Sequence, residues 1–190
     1  MKGRMTGRLI YLMGPSGAGK DSLLQVANEP LQARGYRIAR RIITRSAEAV
    51  GEDALAVTEA EFEQLRHSGA FALHWQANGL RYGISREIDD WLAAGEDVLV
   101  NGSRGYLPEA RERYPQLCAV LLTVALPVLR ERLLVRARES LDEIEARLAR
   151  NQQFYSAAEQ GEVLILDNSG PLEETMQRLL QLIERGRVCA

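Results

Sequence analysis

Residues 8–24 read RLIYLMGPSGAGKDSLL, an apolar run that empties into a glycine-rich turn and then into a helical pattern. Gly14, Gly19 and Lys20 stand at the spacing G-x-x-x-x-G-K behind the strand-like Leu9, Ile10, Tyr11, Leu12 and Met13. This strand, turn and helix order is the context that a phosphate-binding P-loop requires. Glycines without Cβ atoms let successive backbone N–H groups turn inward on one anion, while the following helix directs the positive end of its dipole at the same point. Lys20 adds a mobile full charge for the outer phosphates. Gly14, Pro15, Ser16, Gly17, Ala18, Gly19, Lys20, Asp21 and Ser22 are therefore the expected nucleotide-binding set. One departure stands out. The residue after the lysine is usually a Ser or Thr that ligates magnesium, and here it is Asp21, with Ser22 one place later.

The rest of the chain alternates strand and helix patterns. Residues 21–34 predict a helix that Pro30 breaks or kinks and Gly35 stops. Residues 36–43 predict a second strand that delivers Thr44 and Arg45 to its end, where open α/β sheets meet ligands. The pattern is irregular over 46–56. Thr58-Glu-Ala-Glu61 is a capping box that starts a short helix ending near Gly69. Asn78-Gly79, between residues 71–76 and 80–84, predicts a hairpin. Strands follow at 97–101, 118–125 and 163–167. Helices follow at 86–94, from Pro108 to 114, from Pro127 to about 138, from the capping box Ser140-Leu-Asp-Glu143 to about 159, and from 171 to 185, where Gly186 is the expected stop. Such alternation predicts a parallel sheet with helices on both faces, the three-layer α/β fold of P-loop NTPases. The chain reads as one domain, residues 1–190, with core segments 8–43, 86–130 and 160–190. A small substrate-binding lobe is inserted at 44–85, and a helical lid spans about 131–159.

Arg130, Arg132, Arg136, Arg138, Arg147 and Arg150 cluster about the break at Ser140. Their alternative roles are exposed i,i+4 pairs with neighbouring glutamates, or a mobile lid that closes on transferring phosphates. A formal net charge of −2 gives no global pull toward nucleic acid or an anionic membrane. No apolar run is long enough to span a bilayer, so the expected location is the cytoplasm and the expected partner a small molecule. Cys118 and Cys189 form no C-x-x-C pair, which argues against a disulfide framework or zinc site. Trp75 is expected to pack, and His67, at a helix end, to serve the helix dipole. No Ser-His-Asp or metal-ligand spacing is present. Oligomeric state is not legible.

GPSGAGK, the ITR of 43–45, Gly51-Glu52, the E-F-x-x-L-x-x-x-G-x-F run at 61–71, Tyr82-Gly83 and the arginines 136 and 147 together resemble guanylate kinase. Where that family carries a second arginine, a base-reading glutamate and an acidic strand end, this chain has Glu48, His74 and Asn101. Against that resemblance, these departures imply that guanine recognition is dismantled. GPSGAGKDSLL, ITR, VLVNGSRGYLP and LDNSGPL resemble more closely the ribose 1,5-bisphosphate phosphokinases of phosphonate breakdown, over about residues 8–180.

That resemblance implies transfer of the ATP γ-phosphoryl group, with magnesium, to a phosphorylated ribose, giving 5-phosphoribosyl 1-diphosphate. It implies Lys20, Arg136 and Arg147 as the catalytic cations and Asn168 as an adenine contact. Arg45, Arg81, Tyr82 and Arg104 become acceptor ligands. Asp21 and Asn101 become a magnesium pair in which the carboxylate has changed sides, from the strand end to the loop. A guanylate or other nucleoside monophosphate kinase, and a non-catalytic binding module, are the alternatives.

Overall fold

A computed structural model describes residues 7–44, 54–137, 140–158 and 163–188, with the backbone alone for 136, 150, 152–158 and 186–188. Arg45, and the Glu48, Gly51 and Glu52 of the resemblance, fall outside the described residues. The strands are β1 (Leu9–Met13), β2 (Tyr36–Ile38), β3 (Arg41–Ile43), β4 (Ala54–Ala56), β5 (Phe71–Ala77), β6 (Leu80–Ser85), β7 (Asp97–Asn101), β8 (Cys118–Thr123) and β9 (Val163–Asp167). The helices are α1 (Lys20–Ala33), α2 (Glu59–His67), α3 (Glu87–Ala93), α4 (Leu107–Arg113), α5 (Leu126–Arg136), α6 (Leu141–Ala158) and α7 (Leu172–Val188).

Two compact units are distinguished, Met1–Tyr11 with Asn28–Cys118 and Leu12–Ala27 with Ala119–Ala190. Strand β1 runs from one into the other. In the first unit its neighbour is β7 and then β2, paired in parallel with Tyr36 opposite Asp97 and Ile38 opposite Leu99. In the second unit its neighbour is β8 and then β9, also parallel, from Ala119 opposite Val163 to Thr123 opposite Asp167. Every residue of β1 and β7 is buried, the continuous apolar run of β1 and the Val98, Leu99 and Val100 centre of β7 as a parallel sheet requires, with Asp97 and Asn101 buried at the ends of β7. At the outer edge β9 leaves Leu164 and Ile165 exposed. Helix α7 packs on β9, and α5 on α6. The architecture is the α/β P-loop type, a parallel sheet with helices.

The first unit also carries a four-stranded sheet of order β4-β3-β6-β5, antiparallel except for the β3–β4 pair. The hairpin forms at Asn78 and Gly79, with φ of +51° and +73°, the left-handed pair that a two-residue turn needs. Thr58 caps α2 with both bonds of its box, and the Glu61 carboxyl is held below its ordinary range by the Thr58 backbone and hydroxyl. His67 bonds through Nδ1 to the Glu63 carbonyl, 2.7 Å away in the last turn.

Four sequence expectations about elements need correction. The predicted strand over 36–43 is two strands in different sheets. Ala39 makes the last bond to β7, its N–H donating to the Leu99 carbonyl, and extending the run would have driven Arg40 and Arg41 into a doubly buried layer. Thr44 consequently follows a strand of the second sheet, its hydroxyl accepting the Arg81 N–H at 2.8 Å. Residues 54–56, expected to be irregular, are β4. Pro30 does not break α1, because Leu23, Ala27 and Leu31, one face at four-residue spacing, are fully buried and hold the helix across the missing donor. Gly186 does not stop α7, since a single glycine weakens a helix by about 1 kcal/mol and ends it only by turning left-handed.

Candidate active site

In the second unit the chain leaves β1 at Met13 and turns through the glycines into α1. Gly14 is a matter of space, since a methyl there would stand 2.7 Å from the Leu122 carbonyl oxygen of β8. Gly19 is a matter of both space and conformation. Its φ is +87°, and an added Cβ would lie 2.8 Å from the Asn168 side-chain amide. The first amides of a helix have no partner within it, so α1 presents its positive end to this loop. The Lys20 ammonium donates to the carbonyls of Gly14, at 2.7 Å, and Pro15, at 3.1 Å, which holds it across the loop mouth.

Three further elements converge on the loop. From α6, the Arg147 guanidinium donates to the Ser16 hydroxyl at 2.7 Å, so the arginine-rich helix pair reaches the phosphate cradle itself. From the turn after β9, the Asn168 side-chain amide donates to the Ala18 carbonyl at 2.7 Å, and Asn168 is only 1% exposed. Its Oδ1 is buried without a hydrogen-bond partner. The turn is stiffened by Ser169, whose hydroxyl donates to Asp167 and accepts the Ala125 N–H. From α5 come Glu131, Arg132 and Val135, which with Gly17, Gly19, Ser22, Asn168, Gly170 and Leu172 line a cavity of about 440 Å³. That volume suits a small-molecule ligand. Val135 is 80% exposed, so it serves as an apolar wall rather than as core.

Of the arginine cluster, Arg130 pairs with Glu145 at 2.7 Å, joining α5 to α6 rather than bridging one turn of a single helix. Arg136 ends α5, and its side chain lies outside the described residues, as does Arg138. Ala137 turns left-handed, φ +50°, and the Ser140 box then starts α6. Val135 and Leu172 were missed as site residues by sequence reasoning, and Arg132 was read only as a member of the arginine cluster. The signal for Val135 was faint, its failure to share the buried spacing of Leu129 and Leu133.

The first unit holds the other expected residues. Asn101 ends β7, 2% exposed. The turn after it is fixed by Tyr11, whose hydroxyl donates to the Ser103 carbonyl at 2.8 Å and accepts the Ser103 N–H at 3.0 Å. Gly102 is required there, because a methyl would enter the Tyr11 ring. Burial raises the Tyr11 pKa, so the phenol stays neutral. Arg104 opens the 3₁₀ turn Arg104–Tyr106, and partial burial lowers its pKa. Arg81, expected at the acceptor phosphates, is paired with two α2 carboxylates, Glu59 at 3.0 Å and Glu63. Tyr82 stacks on Trp75. His74 lies near Phe71, and burial, then the Arg66 charge, lower its pKa so that it is neutral at pH 7.

Asp21, in the first turn of α1, and Ser22 offer oxygen donors beside the cradle. Among the described residues no cluster of three or more His, Cys, Asp or Glu could hold a metal alone. Magnesium bound with a nucleotide needs only one or two protein oxygens, because the phosphates complete its shell, and this donor set fits it.

A glycine cradle closed by a lysine, with an arginine from a helix pair laid on it and an α/β parallel sheet beneath, defines a P-loop phosphotransferase. No family model matches the chain. It is 65% identical to the ribose 1,5-bisphosphate phosphokinase PhnN of Pseudomonas paraeruginosa, over 98% of this chain and 100% of that one. It is 62% identical to the protein of the same name from Azotobacter vinelandii, over 98% and 100%, and 49% identical to that of Thiobacillus denitrificans, over 93% and 93%. The chain belongs to the ribose 1,5-bisphosphate phosphokinase family. In fold it is similar to guanylate kinase from Anaplasma phagocytophilum, with a TM-score of 0.74 at 18% identity over 96% of this chain and 87% of that one. No described helix is long and apolar enough to cross a membrane.

Proposed function

We propose that the protein transfers the γ-phosphoryl group of ATP to the 1-phosphate of ribose 1,5-bisphosphate, giving 5-phosphoribosyl 1-diphosphate and ADP. Near full-length identity to phosphokinases of that name carries this reading, and the Gly14–Lys20 cradle with Arg147 on it supports it. The acceptor needs no general base. Its 1-phosphate has a second pKa of about 6, so at neutral pH an oxygen anion is already available to attack the γ-phosphorus as the bond to the β-phosphate oxygen breaks. The electron pair leaves with ADP, and no proton moves in the transferring step.

The chemical difficulty is repulsion between two polyanions. Lys20 and the loop amides take the nucleotide phosphates, and Arg147 with Arg136 covers the transferring group. Magnesium, held with the phosphates by Asp21 with Asn101 as its neutral partner, would supply further positive charge. Asn168, Val135 and Leu172 offer a polar edge and two apolar walls to adenine. Arg45, Tyr82 and Arg104 are the proposed acceptor ligands, with Arg81 engaged on α2. The cytoplasm is the proposed location.

A coupled ADP-release assay with Mg-ATP and a panel of phosphorylated acceptors tests the substrate. Ribose 1,5-bisphosphate should exceed GMP and AMP, and faster turnover of GMP would overturn the reading. The proposed sharing of magnesium by Asp21 and Asn101 is tested by exchange. Asp21→Ser should lose activity and raise the magnesium requirement, and adding Asn101→Asp should restore part of both. No restoration would remove Asn101 from the metal site.

A further inference from the structure

Two arginines come from neighbouring strands of the second sheet in the first unit, and they serve opposite faces. Arg81 and Tyr82 are consecutive on β6, so their side chains point to opposite sides. Arg81 turns to α2 and its carboxylates. Tyr82 lies opposite Ile43 on β3 and opposite Trp75 on β5, which puts Arg41, two residues from Ile43, on the Tyr82 face. There the Arg41 guanidinium carbon lies 5.8 Å from the centroid of the Tyr82 ring. Tyr82 stacks in turn on Trp75, at 5.5 Å with planes 5° apart, and Trp75 on Tyr106, at 5.8 Å and 29°. Trp75 is 9% exposed. Its ring is buried and already stacked with both tyrosines, so this column offers little tryptophan surface to a planar base. A guanidinium laid on an aromatic ring is fixed in its plane, and its N–H edges then meet phosphate oxygens in pairs. A second cation, Arg104, opens the same 3₁₀ turn that carries Tyr106.

We propose that Arg41 is a phosphate-binding residue for the acceptor, oriented by the Tyr82 ring and backed by Trp75 and Tyr106. This rests on the reading that the lobe takes a phosphorylated sugar. The test varies each substrate separately in Arg41→Gln and Arg41→Lys. Arg41→Gln should raise the KM for ribose 1,5-bisphosphate at least tenfold and leave the KM for Mg-ATP within twofold. Arg41→Lys should fall between it and the parent. An acceptor KM unchanged in both variants, or a loss that falls on ATP instead, overturns the proposal.

A second measurement needs no turnover. The chain has two tryptophans, so in a Trp91→Phe background Trp75 is the sole tryptophan, read by excitation at the red edge where tyrosine does not absorb. Titration with ribose 5-phosphate should shift Trp75 emission, with a midpoint at least tenfold higher when Arg41→Lys is added. An unchanged midpoint, or no shift, overturns the proposal. Should ribose 1,5-bisphosphate prove a poor acceptor, the substrate reading falls, and this titration alone decides the role of Arg41.

Discussion

Asn168 shows how much one side chain can decide. Its amide nitrogen bonds the Ala18 carbonyl, and the same nitrogen occupies the space that a side chain on Gly19 would need. The residue therefore acts on the loop whatever it does for adenine. Loss of one such bond is worth about 1 kcal/mol. Asn168→Ala should accordingly raise the KM for ATP roughly fivefold, taking that energy as loosened nucleotide binding. The acceptor KM should stay unchanged. Kinetics with each substrate varied in turn check this, and equal effects on both would point to general loss of fold instead. Asn168 was foreseen only as an adenine contact, because a motif names a residue and not the direction of its donor. Arg81 teaches the same lesson. Its place beside Tyr82 was visible in the sequence, but its pairing with the α2 carboxylates depended on which face of β6 it took.

At the scale of elements, the capping boxes were the most legible signals. Thr58 with Glu61 and Ser140 with Glu143 both form, because the bonds they make are local and need no tertiary partner. Thr58→Ala should lower stability by about 1 kcal/mol in urea unfolding. The Glu61 and Glu143 carboxyls are both held below their ordinary value, chiefly by backbone N–H groups of the caps. Their folded pKa lies below the unfolded one. Their contribution is thus fully present above the unfolded pKa and is lost as pH falls through the folded pKa. Helicity of α2 should therefore weaken below about pH 4.5, the ordinary glutamate range, and less so in Glu61→Gln, which has no charge to lose. Thermal melts across pH 3–7 measure it. Longer elements were legible wherever packing repeats a local period, as in α1, β1 and β8. The run 36–43 was not, because its division between two sheets turns on where Arg40 and Arg41 can be solvated.

For the whole molecule, ligand linkage gives a direct measurement. Mg-ATP at about 100 times its Kd should raise the unfolding free energy by roughly 2.7 kcal/mol, read as a higher Tm. No shift would favour a non-catalytic module over a kinase. The identity of the family was also legible, through motifs spread over most of the chain, since GKDS and NGSR together say more than a phosphate loop alone.

By itself the sequence determined the cradle, the strand and helix alternation, the hairpin and both caps, because each rests on interactions within a few residues of the chain. Only the tertiary structure decided that Arg147 reaches Ser16, 131 residues away, that Asn168 lies under the loop, and that Arg41 rather than Arg81 shares the Tyr82 face. Those assignments depend on strand register and helix packing. A one-residue step on a strand reverses the side of the sheet a guanidinium serves, and composition and spacing carry no record of which partner waits there.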